Sequence, residues 1–248
     1  MRTTVEGAGV ELACDERGQG AAVLLVHGMA SDRRAWSAVA DRLAPPARVI
    51  SYDRRGYGDS GAPEPYERTT VYEQAQDAVA VIAALSLAPV LVCGDGFGAL
   101  IALDLLARHG GQVRAAVLAK PPLFAFVPEA TEVLSAQREQ LAEAVREHGP
   151  QAAVEHWLGG RVPNDALQRA RRAHRAFFAD YAGLATWPVT RAQLRALRVP
   201  VTVLAGPHAP AHVQAAADRL AELLPCGELR PDGDVAAAAL ALLNAEGE

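Results

Sequence analysis

A short apolar run, Val90-Leu91-Val92-Cys93, enters Gly94-Asp95-Gly96-Phe97-Gly98 and leaves it directly into the helical pattern Ala99-Leu100-Ile101-Ala102-Leu103. No loop separates strand from helix, so the backbone must turn sharply, and glycine is the residue that adopts strained geometry without a Cβ penalty. Gly96 stands at the apex. A strand that ends this way is one unit of a β/α alternation, and the rest of the chain has to supply the other units.

It does so in order. Thr3-Thr4-Val5 and Val10-Glu11-Leu12-Ala13-Cys14 flank Glu6-Gly7-Ala8-Gly9 as a hairpin at one edge of a sheet. Val23-Leu24-Leu25-Val26 is a fully apolar strand, followed by a helix from about Ser31, an N-cap residue type, to Leu43, where Pro45-Pro46 stops it. Arg48–Tyr52 is the next strand; a helix runs from about Thr70 to Leu85, then the elbow strand, then Arg114–Ala119. Strands apolar on both faces and alternating with helices predict a largely parallel sheet covered on both sides. From Pro121 to about Leu197 the pattern is helical throughout. The predicted organisation is an α/β core over 1–120 and 198–248, with a helical cap over 121–197 inserted between Ala119 and the strand after Val199-Pro200, and a last helix from Asp234 to Asn244.

His27-Gly28 after the first apolar strand, Asp53-Arg54-Arg55-Gly56-Tyr57-Gly58-Asp59-Ser60 after the second, and the glycine elbow after the third together resemble the α/β-hydrolase family. The resemblance implies a site at the C-terminal ends of the strands, roofed by the cap. It also implies a Ser-His-Asp triad, and three positions depart from it. Gly96 stands where the nucleophilic serine belongs, Ala209 where the acid follows the strand ending at Gly206, and Pro231-Asp232-Gly233-Asp234 where the loop should carry histidine. No histidine follows His212. In lacking the triad the chain resembles the bottromycin-epimerase type of this fold. What the resemblance leaves in place is an oxyanion hole made of two backbone N–H groups, at Phe97 and Met29, which need no particular side chain.

An oxyanion hole without a nucleophile suits enolate chemistry, so the first expectation is a natural-product tailoring enzyme, an epimerase, isomerase or cyclase acting on a small carbonyl-bearing molecule or peptide. The alternatives are a ligand-binding pseudohydrolase and a hydrolase that uses Asp95 or a bound water. Asp95, beside the apex, reads as a base or as a brace of the elbow. Lys120, at a strand end, reads as a base if buried or as a solvated lysine at a loop entrance, and His208 and His212, after the strand that normally supplies the acid, read as a general base or acid or as surface residues at a helix N-terminus. His27 and Gly28 shape the oxyanion loop, and Phe124, Trp157 and Trp187 are candidates for the pocket roof. Arg169, Arg171, Arg172 and Arg175 on one cap helix read as a solvated face or as a clamp for a substrate carboxylate. Asp53, Arg54 and Asp59 read as bracing.

Composition removes other classes. Gly94-x-Gly96-x-x-Ala99 also fits a dinucleotide fingerprint, but that reading needs an acid at the end of the next strand, which ends in Ala119-Lys120. A net charge of −5 with arginines scattered among acids argues against nucleic acid. Three scattered cysteines form neither a disulfide framework nor a metal motif, which fits a reducing cytoplasm; no metal and no cofactor are expected. No apolar run suggests a signal peptide or a membrane span.

Overall fold

The computed structural model describes residues 1–128, 130–160, 162–184 and 186–245. Eight strands, β1 (Arg2–Glu6), β2 (Glu11–Arg17), β3 (Ala21–Val26), β4 (Ala47–Tyr52), β5 (Val90–Asp95), β6 (Val113–Ala119), β7 (Val201–Leu204) and β8 (Gly227–Arg230), form one sheet. Their order is β1-β2-β4-β3-β5-β6-β7-β8. Only the β1–β2 hairpin and the β2–β4 pair are antiparallel; every other neighbour is parallel. This is the α/β-hydrolase architecture that the sequence predicts.

Period-2 alternation divides the strand side chains between two cores. Leu24, Val26, Ile50, Val92, Leu118 and Val203 face helices α2 (Val71–Ala84), α3 (Phe97–His109) and α9 (Ala211–Leu223). Val23, Leu25, Val49, Leu91, Val117 and Leu204 face α1 (Ser37–Leu43) and α10 (Val235–Asn244). Both faces of β3, β5 and β6 are therefore sealed, which is why these strands read as unbroken apolar runs. Between β6 and β7 come α4 (Ala130–His148), α5 (Pro150–Leu158), α6 (Asn164–Arg172), α7 (His174–Leu184) and α8 (Arg191–Ala196). No helix among the described residues is long and apolar enough to cross a membrane.

Local capping chemistry sets several of the helix starts. Thr70 accepts from the Glu73 N–H to start α2, and Asp234 accepts from the Ala237 N–H to start α10. The first core helix differs from expectation. Its cap is Asp32, not Ser31: the Asp32 carboxylate accepts from the Arg34 N–H, and Arg33–Trp36 form a 3-10 turn before α1 begins. Ala30 just upstream is left-handed, at φ 52°. That reversal leaves Ser31 in the cleft described below.

Candidate active site

The elbow is built as its sequence requires. Gly96 sits at φ 53°, ψ −117° between β5 and α3, and its N–H donates to Ala119 O at 2.9 Å. A Cβ on Gly94 would lie 2.3 Å from Gly98 O, and one on Gly98 would lie 2.2 Å from Val26 O. The flanking glycines are thus enforced by the closeness of α3 to the strands. At Gly96 a Cβ would meet only Gly28 Cα, at 3.9 Å, so the space before the apex is open and φ alone favours glycine.

A cleft of about 190 Å³ opens at the C-terminal ends of the parallel strands, walled by His27, Gly28, Ser31, Trp36, Asp95, Lys120 and Gly233. Lys120 Nζ lies 2.8 Å from Asp95 Oδ1. The pairing follows from register: Asp95 ends β5 opposite Ala119 of β6, so the next residue, left-handed at φ 47°, swings across the exit of both strands. The Lys120 N–H donates to Leu204 O at 2.7 Å and fixes that bend. Its side chain is 56% exposed, against 33% for Asp95, so the burial on which a base role for Lys120 depends is not there.

His27 is buried and committed at both ring nitrogens. Nε2 accepts from the Arg54 N–H at 3.0 Å, so Nδ1 carries the proton and donates to Gly28 O at 2.8 Å. Burial, followed by the neighbouring Arg54 charge, holds its pKa well below the ordinary histidine value. Stability therefore rests on a neutral ring and falls with pH once unfolded histidine gains a proton. The expected loss begins near pH 6.5 and approaches about 1.4 kcal/mol per pH unit. Urea denaturation at pH 7 and 5.5 should show this slope, and His27→Gln, less stable throughout, should lack it; an unchanged slope in the variant would refute the assignment.

Beneath His27 lies a polar network of which the sequence shows only Arg54, as a brace, and not its partners Gln74 and Asp180. Arg54 donates through Nε to His27 O and through Nη2 to Gly28 O, each at 2.9 Å, through Nη1 to Gln74 Oε1 at 2.6 Å, and through Nη2 to Asp180 Oδ2 at 2.7 Å. Asp180, on cap helix α7, also accepts from Tyr57 OH at 2.7 Å and Gln74 Nε2 at 2.6 Å. All six residues are buried. The available signal was a lone carboxylate on the buried face Ala176, Phe177, Ala179, Gly183 of an otherwise apolar stripe. Asp53 braces the neighbouring loop, accepting from the N–H groups of Arg33 and Asp59 at 2.8 and 2.7 Å and pairing with the Arg33 guanidinium.

The N–H groups of Met29 and Phe97 donate to no acceptor among the described residues. Other expected site residues lie elsewhere. His208 is exposed on the turn after β7 and does not wall the cleft, while His212 packs its ring against Phe124 at 5.4 Å. Ala209 donates to Gly206 O at 3.3 Å within that turn. Asp234 caps α10 and takes two bonds from Arg42, at 2.8 and 3.0 Å, so Gly233 is the residue of its loop that reaches the cleft. None of the three aromatic roof candidates walls the cleft. Phe124 packs on Val127, Ala130 and Ala216, Trp187 bonds Asp104 Oδ1 at 2.9 Å on α3, and Trp157 joins Phe177 in a cluster that includes Met29 and Ala30. The cap arginines are engaged by protein carboxylates: Arg169 by Asp32 and Asp165, Arg171 by Glu155, Arg175 by Glu64. That leaves no clamp for a substrate among these three.

The alpha/beta hydrolase fold family matches residues 21–184. An uncharacterized hydrolase of Bacillus subtilis, YraK, is 30% identical over 183 residues, which are 72% of this chain and 66% of that protein, so the chain spans just under two thirds of this relative. An alpha/beta hydrolase from Sphaerobacter thermophilus superposes with a TM-score of 0.74 at 26% identity, covering 97% of this chain and all of its own. A thermophilic esterase from Thermogutta terrifontis superposes at 0.80 with 24% identity, covering 99% and 98%, and shares the fold.

Proposed function

The chain belongs to the α/β-hydrolase fold family, and we propose that it hydrolyses a small carbonyl-bearing molecule, an ester or lactone, using water in place of a serine nucleophile. The triad positions hold Gly96, Ala209 and a histidine-free loop, so an acyl-enzyme on the apex is not available. The observation that carries the reading is the Asp95–Lys120 pair in the cleft beside Gly28. Relatives named as hydrolases and an esterase favour hydrolysis over the tailoring chemistry that the missing triad first suggests.

In this mechanism the substrate carbonyl oxygen sits between the Met29 and Phe97 N–H groups. Asp95 takes a proton from water as the oxygen attacks the carbonyl carbon, and Lys120 orients the carboxylate. The tetrahedral oxyanion then collapses, the carbon–oxygen bond to the leaving group breaks, and that alkoxide receives the proton from Asp95. A cleft of about 190 Å³ restricts the acyl part to a small group.

Assay against p-nitrophenyl esters and simple lactones tests the reading. Asp95→Asn should lower kcat/KM by about 10²–10⁴, and a single turnover in ¹⁸O-water should place label in the acid product. Unaltered turnover in Asp95→Asn, or strong fluorophosphonate labelling at the elbow, would remove it. A second reading, proton transfer at the carbon next to a carbonyl, is favoured by the same empty apex. It predicts deuterium uptake by a recovered ligand in heavy water without ¹⁸O incorporation, whereas a ligand-binding pseudohydrolase predicts neither label.

A further inference from the structure

The bonds of Arg54 and Asp180 end on the loop that carries Met29. Gly28 O receives two donors, Arg54 Nη2 at 2.9 Å and His27 Nδ1 at 2.8 Å. That oxygen belongs to the peptide whose N–H is Met29's. A trans peptide is planar with C=O and N–H pointing opposite ways, so fixing the oxygen on the buried side fixes the N–H on the other. Two donors on the oxygen also draw charge through the amide and strengthen its N–H as a donor.

We propose that Arg54, held by Asp180 of the cap, is the positioning residue for the Met29 oxyanion donor, so that the cap helix α7 sets the competence of a site to which it lends no cleft-lining side chain. The proposal rests on the oxyanion reading above. Arg54 has the reach for it: its planar fork spans His27 O, Gly28 O, Gln74 and Asp180, and its guanidinium lies 5.0 Å from the ring centre of Phe97, which carries the other N–H. Asp180 spends both oxygens on Arg54, Tyr57 and Gln74, which holds the fork in one orientation. A purely structural ion pair would not need its cation to bond two successive carbonyls of the loop that carries the Met29 N–H.

NMR on the ¹⁵N-labelled full chain reads the effect directly. Arg54→Lys keeps the charge and loses the fork; Arg54→Met with Asp180→Leu removes both charges together, so no buried ion is stranded and a folded sample is expected even where the single change fails. In either variant the amide protons of Gly28 and Met29 should move upfield, while those of Gly96 and Gly98 hold their shifts. Unmoved Gly28 and Met29 amides, or an equal drift of all four, would overturn the proposal. Titration with ethyl methylphosphonate, a tetrahedral oxyanion mimic, separates the two readings. The native protein should bind it with shifts at Met29 and Phe97, and the variants should bind about tenfold more weakly, a fraction of the ~10²–10³ that losing a donor outright would cost. Absent binding by the native protein sinks the oxyanion reading and with it any competence that Arg54 confers, whatever the amide shifts; equal binding by native and variant sinks the Arg54 proposal alone.

Discussion

Asp180→Ala is expected to cost about 3–5 kcal/mol of folding stability, as removing one partner of a buried ion pair does. The size follows from what is left behind. The Arg54 guanidinium, Tyr57 OH and Gln74 Nε2 all donate to this carboxylate, and all are sealed from water. Burial works against the Arg54 charge, and Asp180 is the first of the groups that offset it. Without the carboxylate a cation and two neutral donors lose their acceptor together. At roughly 2–4 °C per kcal/mol for a domain of this size, thermal unfolding should drop by about 6–20 °C. The paired change Arg54→Met with Asp180→Leu should recover most of the loss, because apolar replacement of a whole buried pair is often neutral. Urea denaturation of the three proteins decides: a single variant within about 1 kcal/mol of native would mean that water or another group reaches Arg54.

This network also marks where sequence reading stops. The central strands β3, β5 and β6 are legible because each is apolar on both faces, and the helix starts at Thr70 and Asp234 because a capping oxygen there is a local, short-range device. Asp95 and Lys120 could be flagged only one at a time, since their 2.8 Å contact depends on β5 and β6 being neighbours in register. His208 lies off the cleft for the opposite reason. Its distance from the strand end is right, but Gly206, Pro207 and the turn bond from Ala209 carry it outward into solvent. Arg54 and Asp180 are 126 positions apart in the chain, joined only when the cap docks on the core. Local rules carry the fold; the candidate site is assembled from loops, whose geometry those rules do not reach.

The elbow separates the two kinds of information within five residues. Helix propensity alone would favour Gly98→Ala by about 1 kcal/mol, yet this change is expected to cost about 4 kcal/mol or more, the range of severe core lesions. The added methyl would stand 2.2 Å from Val26 O and 2.8 Å from His27 O, both backbone atoms of the strand and loop that α3 packs against. No rotamer relieves that contact, so α3 must lift away from β3 and carry the Phe97 N–H with it. Gly96→Ser should instead fold, losing about 1–3 kcal/mol for a side chain at positive φ, because only Gly28 Cα comes near, at 3.9 Å. Thermal unfolding of the two variants side by side reads the difference, and a Gly98→Ala protein as stable as native would show that α3 and β3 are less closely fitted than these distances imply. The asymmetry bears on function: the frame of a nucleophile elbow resists change at Gly94 and Gly98, where backbone meets backbone, and tolerates it at the apex. A chain can therefore carry glycine at the apex and keep the elbow geometry, and the hydrolytic reading proposed above accordingly draws its chemistry from Asp95 and an attacking water.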